Sequence, residues 1–270
     1  MQEASALMKR GGRRIALVPT LGALHEGHAA HIRAARQQDA AVVVSIYVNP
    51  TQFGEPEDFK KYPRDIEADA ALCAREGADV VFAPGDDEMY SPNASTWTEE
   101  TALSHRLEGQ ARPGHFRGVC TVVAKLFHIV QPDVATFGQK DYQQLKVVQR
   151  MVRDLLFPVR IVVVPTVREA DGLALSSRNQ HLDAAARAQA TVLWKALNVA
   201  KDLFHDGERN PHRLSTAMMR AVQLAPVARL DYAEIADGET LASKPEAAAG
   251  DVALLAAYIG KTRLIDNLVL

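Results

Sequence analysis

The stretch Ile15-Ala16-Leu17-Val18-Pro19-Thr20-Leu21-Gly22-Ala23-Leu24-His25-Glu26-Gly27-His28 decides the fold of this chain. It begins with an apolar run of strand length, and helical spacing of alanines begins near Gly27. A second apolar run, rich in β-branched residues, extends from Val42 to Val48 and stops at Asn49-Pro50. Strands that are buried on both faces have such continuous apolar runs. The first fifty residues therefore predict a strand, a helix and a second, parallel strand.

The alternation of strands and helices continues to about residue 167. It predicts an α/β fold with a Rossmann-like, doubly wound parallel sheet. The predicted strands are 15–18, 42–48, 79–82, 134–137 and 159–164, and the predicted helices are 27–36, 66–76, 119–130 and 141–156.

Beyond Pro165 the pattern changes to helices that are followed by consecutive apolar runs. Asp183 is placed to cap a helix that continues to about Phe204, and Asn210-Pro211 opens another. The apolar runs 230–235, 252–259 and 264–270 follow without crossover helices, which predicts a smaller C-terminal α+β domain with an antiparallel sheet. We expect two domains, 1–167 and 168–270.

The composition is that of an ordinary globular protein, with 47% hydrophobic and 24% charged residues among 270. Its 31 basic and 33 acidic side chains give a net charge of −2, so we expect neither nucleic acid nor a membrane as a partner. The cysteines Cys73 and Cys120 are far apart, and the chain has neither a signal-peptide pattern nor an apolar run of membrane-spanning length. These features predict a cytoplasmic location.

The histidines of His25-Glu26-Gly27-His28 follow the first predicted strand, where doubly wound sheets bind their ligands. A helix N-terminus presents backbone N–H groups and a positive dipole end, so this stretch predicts a phosphate site to which both imidazoles add donors. Two other interpretations stay open. With His31, the histidines recur every three residues and would bind zinc, although the spacing is one residue shorter than in zinc proteases. Alternatively, they only cap or pack.

Two further loops are rich in phosphate donors. Phe137-Gly138-Gln139-Lys140-Asp141 follows a predicted strand, and Lys140 there would neutralise a phosphate, while Asp141 is placed to cap the next helix. Leu175-Ser176-Ser177-Arg178 lies near the domain boundary and offers two hydroxyls and a guanidinium. Taken singly, each is equally an exposed surface loop.

Two segments would contact a second substrate. Asn49–Phe53 follows the second strand, so Gln52 is expected to point into the same cleft. The basic loop Arg112–Gly118 is bracketed by glycines and would close over that cleft, although an ordinary exposed turn has the same composition.

Seven motifs resemble, in order and spacing, those of the pantoate–β-alanine ligases (pantothenate synthetases), within the nucleotidyltransferase superfamily that carries His-x-Gly-His. The resemblance implies condensation of (R)-pantoate with β-alanine through a pantoyl-adenylate, with ATP as substrate, Mg²⁺ as cofactor, AMP and pyrophosphate as products, and a homodimer. It places the reaction in coenzyme A biosynthesis. The motifs are 19–28, 49–53, 62–65, 112–119, 130–133, 137–145 and 175–179.

The resemblance also implies roles for single residues. Gln52 and Gln144 would bind pantoate, and Gln52 would also lie near β-alanine. Residues 1–167 are expected to bind the nucleotide and pantoate. Independently of the resemblance, the Ser176-Ser177-Arg178 loop near the domain boundary suggests that residues 168–270 act as a lid. The catalytic residues would be His28 as the proton donor, His25, Lys140 and Arg178. ATP would contact Leu21, Gly22, His25, His28, Gly138, Gln139, Lys140, Asp141, Val167 (adenine), Leu175, Ser176, Ser177 and Arg178.

Three residues depart from the family pattern, and the magnesium ligands stay unassigned. Leu21 and Leu175 replace a common methionine of similar volume, so we expect little change. Gln139 replaces a frequent glutamate and removes one negative charge near the nucleotide. The few residues before the first strand suggest a truncated start.

Two other functions stay open. A nucleotidyltransferase that attaches AMP or CMP to a phosphorylated acceptor would release pyrophosphate without AMP. A regulatory module would bind ATP without turnover.

Overall fold

The computed structural model describes residues 1–54 and 56–270. The chain forms two compact units, the first from residues 1–138 and 143–165, and the second from residues 139–142 and 166–270. A short segment from the middle of the chain thus belongs to the second unit. The functional division into 1–167 and 168–270 stays a prediction.

The first unit contains a five-stranded parallel sheet with the strand order β3-β2-β1-β4-β5. β1, β2 and β4 are buried along nearly their whole length, which accounts for their continuous apolar sequences. The predicted doubly wound α/β fold is confirmed. The strands are β1 Ile15–Thr20, β2 Ala41–Ile46, β3 Val80–Phe82, β4 Val134–Gly138 and β5 Arg160–Val164.

The helices predicted for this part of the chain form close to their expected positions, together with short helices that the sequence did not predict. Most of them have three to six residues and give little periodicity because they contain few turns, whereas Gln2–Arg10 has nine residues and is also absent from the prediction. The helices are α1 Gln2–Arg10, α2 Glu26–Arg36, α3 Pro56–Lys61, α4 Ile66–Glu76, α5 Asp86–Met89, α6 Glu108–Ala111, α7 His115–Val130 and α8 Tyr142–Asp154, with 3₁₀ helices at Pro50–Gln52, Leu103–His105 and Gln139–Asp141.

The prediction of a loop over Arg112–Gly118 is wrong for its second half, because α7 begins at His115. Glycine is a poor helix former, so its presence at position 118 favours a loop. The structure requires glycine there for a different reason: a Cβ atom would lie 2.4 Å from the carbonyl oxygen of Thr51. Gly118 thus lets the first turn of α7 pack directly against residues 50–52.

The second unit contains a three-stranded antiparallel sheet with the order β6-β7-β8, which confirms the predicted α+β architecture. Asp183 caps its helix as predicted, but that helix ends at Ala190 and a second one begins after Thr191, a weak helix former. The elements are α9 Ala184–Ala190, α10 Val192–His205, α11 Pro211–Gln223, β6 Ala228–Ala236, β7 Val252–Ile259 and β8 Thr262–Val269, with a 3₁₀ helix at Ser177–His181.

A core of aliphatic side chains from α10, α11 and β7 holds the second unit together, with Leu193, Leu197 and Leu255 almost inaccessible to solvent. Across the part of the chain that the structure describes, no helix combines the length and the hydropathy that a membrane span requires.

Candidate functional site

The strand order of the parallel sheet reverses between β1 and β4. In doubly wound sheets, ligands bind outside the carboxyl ends of the strands at such a switch point. β1 ends at Thr20 and is followed by the loop 21–25, and β4 ends at Gly138. Both the histidine motif and the start of the lysine motif thus follow strands that flank the switch point.

His25 and His28 form a reciprocal cap at the start of α2. The N–H of Gly27 donates to His25 Nδ1 at 3.1 Å, and the N–H of His25 donates to His28 Nδ1 at 3.1 Å. The ring centroids are 4.2 Å apart. Because both Nδ1 atoms accept a hydrogen bond, the N–H of each neutral imidazole is the Nε2–H. The capping and the phosphate-donor interpretations are therefore compatible, since they use opposite nitrogens of the rings.

A buried carboxylate that the sequence interpretation missed holds the loop between β1 and α2. The N–H of Ala23 donates to Asp69 Oδ2 at 3.0 Å, and the N–H of Leu24 donates to Asp69 Oδ1 at 2.7 Å. Asp69 lies on α4 and is 3% exposed. Gly22 has a φ of +88°, and a Cβ atom there would lie 3.0 Å from Asp69 Oδ2. Asp69 thus stabilises a loop conformation that requires glycine.

These contacts engage four of the backbone N–H groups in this stretch, while the prediction that the stretch holds a phosphate stays a prediction. The N–H groups of Ala23 and Leu24 bind Asp69, and those of His25 and Gly27 bind the histidine rings. A phosphate held by this loop would therefore depend more on its imidazoles than on these four backbone N–H groups. No local pattern in the α4 sequence marks Asp69, and only its contacts with Ala23 and Leu24 identify it.

We expect Asp69→Asn to weaken both the loop and catalysis. The amide NH₂ would face a backbone N–H, and one hydrogen bond to a charged group contributes about 1.5–3 kcal/mol. We predict a lower melting temperature together with a loss in kcat/KM of about tenfold or more. Thermal unfolding and steady-state kinetics measure the two effects.

Asp65→Ala is the matched control for that substitution. Asp65 caps the same helix through the N–H of Ala68 at 3.0 Å, so its loss costs about 1 kcal/mol of stability. It makes no hydrogen bond to the loop 21–25 among the described contacts. If Asp65→Ala lowers kcat/KM as much as Asp69→Asn does, the effect of Asp69 is one of general stability.

His31 bonds to a different part of the first unit. Its Nδ1 lies 3.1 Å from the Thr136 hydroxyl on β4. Within residues 1–54 and 56–270, the structure brings together no group of three His, Cys, Asp or Glu side chains that would hold a metal ion. The geometry therefore gives no support to the zinc interpretation.

Gln52 is buried at the end of the 3₁₀ helix that follows β2. Its Oε1 accepts a hydrogen bond from Asn49 Nδ2 at 3.0 Å, and its carbonyl oxygen lies 2.8 Å from His115 Nδ1. The side-chain NH₂ group has no hydrogen-bond partner among the described residues. A carboxylate substrate requires a donor of this kind.

The adjacent glutamines of α8 differ in their environment. Gln143 is buried, accepts from the N–H of Glu108 at 2.9 Å and donates to the carbonyls of Leu103 and Arg106. It therefore holds the segment before α7. Gln144 is half-buried, and its predicted contact with pantoate stays a prediction.

Within the second unit, Lys140, Ser176 and Arg178 line one open pocket. Lys140 Nζ lies 3.4 Å from Asp141 Oδ1, and the exposed Arg178 makes no ion pair with the described residues. Ser176 Oγ accepts from the N–H of Arg178 at 3.2 Å. The pocket therefore brings together two cations and a hydroxyl from two separate motifs.

The remaining predicted ATP contacts lie next to these residues. The N–H of Leu175 donates to the carbonyl of Val167 at 2.9 Å, so the two positions face each other across a turn. Gln139 and Asp141 belong to the single turn that carries Lys140, and Ser177 begins the 3₁₀ helix after Ser176. Their roles, like that of Leu21, stay predictions.

Neither cysteine is suited to nucleophilic catalysis. Both are buried, and burial raises the pKa of Cys73 to about 11 and that of Cys120 to about 12. A thiol with such a pKa is almost entirely protonated at neutral pH. The candidate site therefore offers hydrogen-bond donors and positive charge, and neither Cys73 nor Cys120 serves as a nucleophile.

The sheet, the switch point and the paired histidines define an α/β protein with a candidate anion site after its first strand. The sequence model of a family described as pantoate-beta-alanine ligase matches residues 1–269. A pantothenate synthetase from Moorella thermoacetica is 54% identical over 267 residues, which cover 98% of this chain and 94% of the relative. The chain belongs to the pantoate–β-alanine ligase family.

Solved structures agree with this assignment. A pantothenate synthetase from Thermus thermophilus has a TM-score of 0.93 and 46% identity, with 98% of this chain and 97% of that chain covered. A pantoate-beta-alanine ligase from Francisella tularensis, complexed with beta-gamma ATP and beta-alanine, has a TM-score of 0.79 and 33% identity, with 98% and 94% covered.

Proposed function

We propose that this chain condenses (R)-pantoate with β-alanine in two steps that consume ATP. Membership of the ligase family supports this function, together with a histidine pair whose Nε2–H groups remain the donors of the rings. The Francisella tularensis relative was solved with an ATP compound and β-alanine. We propose pantoyl-adenylate as the intermediate.

In the first step the pantoate carboxylate attacks the α-phosphorus of ATP, and the bond to pyrophosphate breaks. Negative charge grows on the phosphate oxygens, so the site must supply donors and positive charge. His28 and His25 donate through Nε2–H, while Lys140 and Arg178 contribute cations. The other ATP contacts predicted from the motifs, including Gly138, Val167 and Ser177, hold the nucleotide.

In the second step the β-alanine amine attacks the acyl carbon of the adenylate, an amide bond forms and AMP leaves. Water competes for the mixed anhydride, so the intermediate must be shielded. We propose that residues 168–270 act as the lid, and identical domain angles with and without adenylate would contradict that role. Gln52 and Gln144 orient pantoate, and the Gln52 NH₂ suits its carboxylate.

We propose that Mg²⁺ accompanies ATP. Mg²⁺ binds few protein carboxylates and retains several waters, so its ligands would come largely from the phosphate oxygens of ATP and from water. The bound ion would neutralise phosphate charge. A homodimer and a cytoplasmic location complete the proposal.

The decisive experiment measures pyrophosphate and AMP release by the purified protein. We expect pyrophosphate only when ATP and pantoate are both present, and AMP with pantothenate once β-alanine is added. Chelation of Mg²⁺ should stop the reaction. Pyrophosphate without AMP on addition of a phosphorylated acceptor would instead identify a nucleotidyltransferase, and ATP binding without turnover a regulatory module.

We expect Gln52→Glu to raise the KM for pantoate while ATP binding is largely retained. The substitution keeps the shape of the side chain but replaces the NH₂ group by an oxygen, which repels a carboxylate. Loss of one hydrogen bond to a charged group corresponds to about a tenfold change or more. Steady-state kinetics in each substrate measure it, and Gln52→Ala should act in the same direction. An equal loss of ATP and pantoate binding would contradict the assignment.

A further inference from the structure

Asn267 of β8 donates two hydrogen bonds to the segment that carries Lys140. Its Nδ2 lies 2.9 Å from the carbonyl oxygen of Gln139 and 2.8 Å from that of Lys140. The side chain is buried. Residues Gln139–Asp141 form a single 3₁₀ turn, which is too short to be stable alone. Asn267 therefore fixes the backbone from which the Lys140 side chain extends.

The neighbouring residue, Asp266, holds the second motif of the pocket. Its carboxylate forms a bidentate ion pair with Arg168, at 2.6 and 2.9 Å, and is almost fully buried. Arg168 also donates to the carbonyl of Gly172 at 3.0 Å and forms a β-bridge with Ala174. This ion pair fixes the turn that leads directly into Leu175–Arg178.

Adjacent residues of a strand point to opposite faces, so Asp266 and Asn267 reach both motifs from one place in β8. The two are also joined directly, because the N–H of Asn267 donates to Asp266 Oδ1 at 2.8 Å. Asp266, Lys140 and Arg178 all line the same pocket. Two segments that are distant in sequence thus share one anchor.

The polar side chain of Asn267 lowers the stability of the fold unless its NH₂ group is required for hydrogen bonds. Asn267 Oδ1 is buried and has no hydrogen-bond partner among the described residues. A buried unpaired acceptor destabilises a protein, and an apolar residue of similar size would avoid that cost. The two donated hydrogen bonds are the contacts that only an amide supplies here.

We propose that Asp266 and Asn267 are positioning residues. They fix the Gln139–Asp141 turn, which carries Lys140, and the Ser176–Arg178 loop relative to each other, and they thereby set the affinity of the protein for the phosphates of ATP. The proposal rests on the proposed function in one respect: it takes these two motifs to bind ATP.

The test compares Asn267→Ala and Asn267→Asp with wild type. Alanine leaves both carbonyls without their donor, and aspartate places a carboxylate against them. We expect the KM for ATP to rise about tenfold in both variants, since two hydrogen bonds are lost, with the KM values for pantoate and β-alanine within about twofold of wild type. Amide hydrogen exchange without substrates should accelerate at residues 139–142.

Asn210→Ala is the matched control. Asn210 caps α11 through the N–H of His212 at 2.9 Å and that of Arg213 at 3.2 Å. Its loss should lower the melting temperature while leaving the KM for ATP and exchange at residues 139–142 unchanged. If neither Asn267 variant folds, the isosteric Asp266→Asn variant is used instead. The measurements are then the KM for ATP and amide hydrogen exchange at residues 174–178.

A double variant tests whether Asn267 acts through Lys140. If it does, Lys140→Ala combined with Asn267→Ala should have the KM for ATP of Lys140→Ala alone. Additive effects, an unchanged KM for ATP, an equal rise in all three KM values or unchanged exchange at residues 139–142 would each overturn the proposal. If the wild-type protein makes no pantothenate, that result contradicts only the proposed function. Amide hydrogen exchange needs no substrate, so it still tests whether Asn267 positions residues 139–142.

Discussion

Replacing His28 by alanine is expected to lower kcat by about 10²- to 10³-fold, the range for removal of one donor to a transition-state oxyanion. The ring of His28 has two functions in the structure. Its Nδ1 accepts from the N–H of His25, and its neutral tautomer places the proton on Nε2. The alanine variant therefore loses the cap as well as the phosphate donor.

His28→Asn separates these functions. Asparagine Oδ1 occupies a position equivalent to Nδ1 of histidine and accepts the same N–H, whereas nothing replaces Nε2–H. We expect the melting temperature of His28→Asn to lie closer to wild type than that of His28→Ala, while kcat stays low in both. Turnover near the wild-type value in His28→Asn would show that His28 only caps α2. Pyrophosphate release under saturating ATP and pantoate measures kcat.

Replacing Lys140 by alanine is expected to have an effect of the same order, about 10²- to 10³-fold in kcat. The Lys140 side chain is about four-fifths buried and lines the pocket together with Arg178. In a site from which water is partly excluded, a cation acts on phosphate charge more strongly than at the surface. We also expect the KM for ATP to rise, because the same charge contacts the bound nucleotide.

Lys140→Arg and Lys195→Ala complete this test. Arginine keeps the charge but changes its geometry, so we expect part of the activity to return. Lys195 is an exposed lysine of α10, and its removal should leave kcat and the KM for ATP unchanged. A Lys140→Ala variant with unchanged kcat and KM would place Lys140 among the ordinary surface lysines.

The buried strands and the histidine motif can be predicted from the sequence, whereas the carboxylate that holds the loop between β1 and α2 cannot. The strands β1, β2 and β4 are apolar along their length because both faces are buried, and such runs can be recognised without partners. The His25–His28 motif is local as well, since a cap joins residues only three apart. Asp69 is different: its α4 sequence is that of any polar helix, and only its contacts with Ala23 and Leu24 identify it.

The amino-acid sequence by itself determined the α/β class, the order of the strands along the chain and the motifs that indicate an ATP-dependent ligase. Each of these depends on periodicity or on neighbouring residues. The tertiary structure alone decided which donors are already engaged and what anchors the motifs. Asn267 bonds to a residue 128 positions away, and Asp69 to one 46 positions away. Such contacts follow from the packing of distant elements, which no local pattern records.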